Sequence, residues 1–109
     1  MKIGHLIVPA AGMEEQVAFY TSLGLAVKFR DGDRYAALTD GTTVIGLADE
    51  TQQPVAGRTM PGIEVDDLDA LAALLSAGEP VTGPHERRLV VRDPAGNPLV
   101  LYERLPAQP

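Results

Sequence analysis

The sequence predicts an α+β fold in which two βαβββ modules stand in tandem and form curved mixed sheets around a concave cavity. Three observations carry this. Apolar residues first alternate at period two, then fall at helical spacing, then alternate again through three short runs. After a polar linker the same order begins again. An offset of 65 − 10 = 55 positions aligns Ala10 with Val65, brings Leu23 near Gly78, and sets Gly41 of DGTT on Gly96 of DPAGN. Identity between the halves is low, so the repeat is one of pattern. A helix over a four-stranded curved sheet cannot bury both faces of that sheet, and pairing two such units makes a concave face the natural place for a ligand.

The first module is expected over about residues 1–50. Lys2 to Ala10 alternates as a strand, with Leu6, Val8 and Ala10 on one face and Ile3, His5, Ile7 and Pro9 on the other. Met13, Val17, Tyr20 and Leu23 mark a helix, with Glu14 and Glu15 in its first turn and Gly24 placed to stop it. Strands are expected at Leu25 to Arg30, Arg34 to Thr39 and Thr43 to Ala48, separated by the turn pairs DGD and DG. The stretch DETQQPVAGRT carries Pro and Gly among polar residues and reads as a linker over about 51–59.

The second module, about 60–105, opens with a strand at Gly62 to Val65. Asp66 and Asp67 are candidate N-caps for a helix whose stripe is Leu68, Leu71, Leu74 and Leu75 and which Gly78 closes. Strand-like runs return at Pro80 to Thr82, Leu89 to Arg92 and Pro98 to Tyr102. At 109 residues the whole chain, 1–109, reads as one domain.

Composition narrows the function. Hydrophobic residues at 45% and charged residues at 22% suit a globular protein. No run approaches the ~20 apolar residues of a membrane span, and MKIGHLIVPA is too short and weakly basic for a signal peptide. Without cysteine there is neither a disulfide framework nor thiolate chemistry, and a cytoplasmic location is expected. A net charge of −6 argues against a nucleic-acid partner, because phosphate backbones are held by clustered Lys and Arg. Nor is there a glycine-rich phosphate loop or a nucleophile motif.

The two βαβββ halves, the opening strand HLIVPA, the helix ending AFYTSLGL, and DPAGN before the last strand together resemble the vicinal oxygen chelate superfamily of glyoxalases, bleomycin-resistance proteins and extradiol dioxygenases. The resemblance covers nearly the whole chain. Pro94, Gly96 and Asn97 suit the tight turn, Phe19 and Tyr20 read as bulky anchors against the sheet, and Gly24 lets the chain reverse. It implies a homodimer and, in the enzymes, a divalent metal held by His and Glu from four inner-strand positions. Those positions correspond here to His5, Gly46 (Ile45 if the register slips by one), Met60 and Val100. Only His5 is of ligand type, since a thioether is a poor partner for such metals and Gly and Val offer no donor.

No metal or other cofactor is therefore expected, and His5 is read as a structural or ligand-contacting imidazole. A substitute set of His5, Glu64 and His85, the other histidine, leaves a divalent metal open; Asp49, Glu50 and Glu103 sit at strand ends, with Glu103 expected to point away from Val100's face. The candidate ligand-binding residues are His5, Phe29, Tyr35, Glu64, Val100 and Tyr102, on a mainly apolar face with few polar groups. The same face reads equally as a closed core or a dimer interface. Glu86, Arg87, Arg88 and Arg92 could meet an anionic group, though a solvated loop and strand edge is the preferred reading, with Arg92 bracing the turn beside Asp93. The leading expectation is a metal-free small-molecule binder, sequestering a toxic compound or antibiotic. The alternative is a lyase, isomerase or dioxygenase with a rearranged metal site around His5, or a metal-independent acid–base catalyst using His5 or Glu64, its pKa moved toward neutrality by desolvation.

Overall fold

The structure is a computed structural model that describes residues 1–106. These hold eight strands and two helices, and they divide into two compact units, Gly4–Met60 and the chain from Pro61 onward together with Met1–Ile3.

In the first unit the order is β1 (Lys2–Pro9), α1 (Met13–Ser22), β2 (Ala26–Asp31), β3 (Tyr35–Thr39) and β4 (Val44–Ala48). Hairpin connections make β2, β3 and β4 an antiparallel meander, and β1 joins β4 in parallel, giving the order β2-β3-β4-β1. The helix lies on one side. Met13 and Val17 of α1 pack with Ala10, Ala36, Leu38 and Leu47, and Val8, Tyr20, Leu25 and Ile45 close the edges of this core. Two expectations for α1 change. Phe19 does not anchor the helix: it is exposed and meets Tyr20 edge-on at 5.3 Å. Leu23 is the exposed C-cap and not part of the buried stripe.

The second unit repeats the plan with β5 (Met60–Glu64), α2 (Leu68–Leu75), β6 (Val81–Thr82), β7 (Glu86–Arg92) and β8 (Pro98–Arg104), in the order β5-β8-β7-β6. The repeat is borne out in register. Ala10 N–H donates to the Ala48 carbonyl at 2.9 Å, and Val65 N–H donates to the Tyr102 carbonyl at 2.8 Å. The helices open at Met13 and Leu68, which are 68 − 13 = 55 positions apart. Leu68 and Ala72 pack with Val65, Leu89 and Leu101, flanked by Ile63, Leu71, Val91 and Leu99.

Asp67 is the N-cap of α2, its Oδ1 accepting from Ala70 N–H at 3.0 Å. The helix stops earlier than Gly78: Ser76 takes the left-handed cap conformation at φ 51. Leu74 and Leu75 are exposed, so the stripe that packs is Leu68 and Ala72 with the partly buried Leu71; Leu74 falls outside its arc, and Leu75 is the last residue of the helix. Both final strands run longer than their apolar runs. Pairing from Glu86↔Arg104 to Arg92↔Pro98 draws Glu86, Arg87 and Arg88 out of the expected solvated loop into β7. Among the described residues no helix is long and apolar enough to cross a membrane.

The turn from Asp93 to Asn97 is built by one carboxylate. Asp93 Oδ1 accepts from the N–H groups of Ala95 and Asn97 at 3.0 and 2.9 Å, and Oδ2 accepts from the Asn97 amide at 3.1 Å. Gly96 takes φ 88, the left-handed conformation that the turn requires. Arg92 donates to the Gly96 carbonyl at 2.7 Å, which is the bracing role expected of it.

Candidate functional site

Strand alternation fixes which residues lie on the sheet faces away from the helices. In the first unit Ile45 and Leu47 belong to the α1 side, so Gly46 and Ala48 of β4 face the other way. Ile7, Gly46 and Ala37 line up across β1, β4 and β3, and Tyr35 pairs with Ala48. His5, two residues before Ile7 on the same strand, shares this face and is half-buried. Phe29 pairs with Ala37 and is exposed on the outer strand β2. The register thus selects Gly46, and not Ile45, as the partner of the His5 face.

Tyr35 does not stay over its own pairing partner. Its ring crosses diagonally onto Gly46, where a Cβ would collide with the phenol oxygen and come within 3.0 Å of Cζ and 3.1 Å of Cε1. A side chain at position 46 and the Tyr35 ring therefore claim the same volume.

In the second unit the corresponding rows are Gly62, Val100 and Val90, then Glu64, Tyr102 and Arg88. Val100 and Tyr102 are each 3% exposed. Arg104 Nε donates to Glu64 Oε1 at 2.6 Å. That hydrogen bond, with the positive charges of Lys2 and the N-terminal amine adding to it, holds the Glu64 carboxyl below its ordinary range. The expected shift of Glu64 toward neutrality is thus corrected: a paired carboxylate, partly exposed, is a weaker base than an ordinary one. Burial pushes the Tyr102 phenol up, and the Glu64 charge adds to this.

The basic run on β7 splits between the two faces. Arg87 turns toward α2 and holds Asp69 through two hydrogen bonds of 2.8 Å, with Glu103 at 3.8 Å. Arg88 lies on the Tyr102 side and Arg92 is spent on the turn. These cations therefore do not form one anion-binding group. Glu103 accepts from Leu68 N–H at 3.3 Å on the helix side, away from Val100 as expected. Asp49 Oδ1 accepts from Thr51 N–H at 2.9 Å and Thr51 Oγ1 at 2.6 Å, so it too is committed to a turn. A hollow of about 390 Å³ is lined by Asp69, Ala72, Ser76, Glu79 and Pro80 and contains none of the candidate residues.

The repeat gives the metal question a simple form. The pairs Ile7↔Gly46 and Gly62↔Val100 make His5 stand to Gly46 as Met60 stands to Val100. One of these four positions carries an imidazole; the others carry hydrogen, a buried thioether and a buried isopropyl group. This donor set does not fit a divalent ion. Among the described residues no three His, Cys, Asp or Glu side chains come together as a metal-binding group.

The fold and these positions define a protein with two βαβββ units. A family model described as the Glyoxalase/Bleomycin resistance protein/Dioxygenase superfamily matches residues 2–101, and the chain belongs to that superfamily. An uncharacterized protein of Mycolicibacterium smegmatis is 39% identical over 110 residues, covering 95% of each chain. The crystal structure of a superfamily member from Vibrio splendidus 12B01 matches with a TM-score of 0.73 at 15% identity, covering 93% of this chain and 97% of that one. A hypothetical protein from Bacillus halodurans C-125 matches with a TM-score of 0.71 at 17% identity, covering 99% and 97%. At these identities the two structures speak for the fold.

Proposed function

We propose that the chain is a small-molecule-binding protein that works without a metal and sequesters a toxic compound or antibiotic, as a cytoplasmic homodimer. One observation carries this reading: the Tyr35 ring lies on Gly46, where the superfamily resemblance calls for a metal ligand. Supporting it, the faces away from the helices combine apolar residues with polar groups, His5 and Tyr35 in one unit and Glu64, Tyr102, Arg88 and Arg104 in the other. Such a lining orients a ligand more readily than it activates one. Phe29, exposed beside Ala37, offers a ring for stacking.

The enzymatic alternative draws no comparable support, since Glu64 is tied to Arg104 and three of the four metal positions lack a suitable donor. Two titrations decide between the readings. Chelator-stripped protein is titrated with Mn²⁺, Ni²⁺, Zn²⁺ and, anaerobically, Fe²⁺, and then with a panel of flat cationic and aromatic compounds that includes bleomycin. The expected result is no specific heat with any ion and stoichiometric capture of a panel compound without turnover. Micromolar or tighter uptake of an ion that disappears in His5→Ala would sink the binding reading in favour of the enzyme.

A further inference from the structure

We propose that Tyr35 is a built-in block: its ring, and not only the lack of donors, keeps position 46 from contributing a metal ligand, so Tyr35 and Gly46 act as one coupled specificity device. A missing ligand is ordinarily restored by one substitution. Here that route is closed from the neighbouring strand. Tyr35 pairs with Ala48, and Ala37 pairs with Gly46, so the ring reaches its place by crossing one row diagonally. It can do so only because Gly46 has no Cβ. The backbone at Gly46 is an ordinary strand position and is not among the glycines with positive φ, so conformational freedom does not call for glycine there; the ring does. His5 lies on the same face of the adjacent parallel strand, two residues before the partner of Gly46, and the superfamily resemblance makes these two the metal positions of the first unit. The second unit has no such block: Arg88, paired with Tyr102, stands where Tyr35 stands in the first, and its side chain is exposed.

The inference rests on the metal-free reading above, yet the two fail differently. Ion uptake by the wild-type protein counts against that reading, whereas the block is decided by variants. Gly46→His and the double variant Tyr35→Ala/Gly46→His are melted without metal and titrated with Ni²⁺ by calorimetry. The single variant is expected to melt below wild type and bind Ni²⁺ no better. The double variant is expected to melt close to Tyr35→Ala and to bind Ni²⁺ at least tenfold more tightly than wild type, a gain that His5→Ala removes. A single variant that melts like wild type and binds Ni²⁺ overturns the block, as does a double variant with no gain. Should either histidine variant fail to fold, Gly46→Ala is compared in the wild-type and Tyr35→Ala backgrounds. Equal shifts in melting temperature overturn the coupling; a drop confined to the wild-type background upholds it.

Discussion

Arg104 Nε and Glu64 Oε1 meet at 2.6 Å and tie the last residue of β8 to the last residue of β5. The contact sits on the partly exposed rim beside the buried Tyr102. Because the folded protein holds the Glu64 carboxyl below its ordinary range, the unfolded chain takes up its proton first as the solution is acidified. The stabilisation is therefore complete above the ordinary carboxylate range and is lost as pH falls through the depressed folded value. Arg104 is largely exposed, so the effect is small and weakened by salt. Urea midpoints of wild type and Glu64→Gln, followed from pH 8 to pH 3, should differ at neutrality and converge in acid. A gap that persists unchanged at the acid end would show that the pair is not its source.

The two cores make a sharper demand. Leu38 and Leu68 are fully buried, one in each unit, and truncating either to Ala should cost about 2–5 kcal/mol. Leu74 fits the apolar pattern of the same helix as Leu68 but is 78% exposed, so Leu74→Ala should stay within about 0.5 kcal/mol of wild type. Equilibrium unfolding in urea ranks the three. A large loss at Leu74 would mean that the face is covered in solution.

Gly46→Ala should change sign with its neighbour. With Tyr35 present the new methyl meets the ring, and a loss of about 1–2 kcal/mol is expected. In the Tyr35→Ala background the methyl has room, and lowering the freedom of the unfolded chain should stabilise by roughly 0.5 kcal/mol. A double-mutant cycle on unfolding free energies measures this coupling directly.

Ser76 closes α2 at φ 51, a conformation that strains a side chain. Ser76→Gly should raise stability by about 0.5–1 kcal/mol, read from a higher urea midpoint at unchanged slope. No gain, or a loss, would mean that the serine side chain compensates the strain.

The fold was legible because its signals are local. The spacing of Met13 and Val17 and the Asp67 cap each depend on residues a few positions apart, the 55-position offset repeats that local pattern, and the structure keeps all three. The site was less so, because its contacts depend on strand length and on diagonals. Ending the last strand at Tyr102 left Arg104 outside the sheet, and with it the partner that reverses the expectation for Glu64. A solvated loop would let Arg87 and Arg88 act together, whereas as consecutive strand residues they face opposite ways. The sequence marks Tyr35 as a candidate, but no spacing rule says that its ring leaves Ala48 for Gly46.

The turn after β7 bears on how such chains are gathered. Every polar group traced in DPAGN is consumed in shaping the reversal itself: Asp93 on the backbone and the Asn97 amide, the Gly96 carbonyl on Arg92. A motif spent in this way advertises architecture and is silent about cargo. A pattern keyed to it collects chains by the way they bend, and contacts such as that of Tyr35 with Gly46 join neighbouring strands outside any contiguous motif.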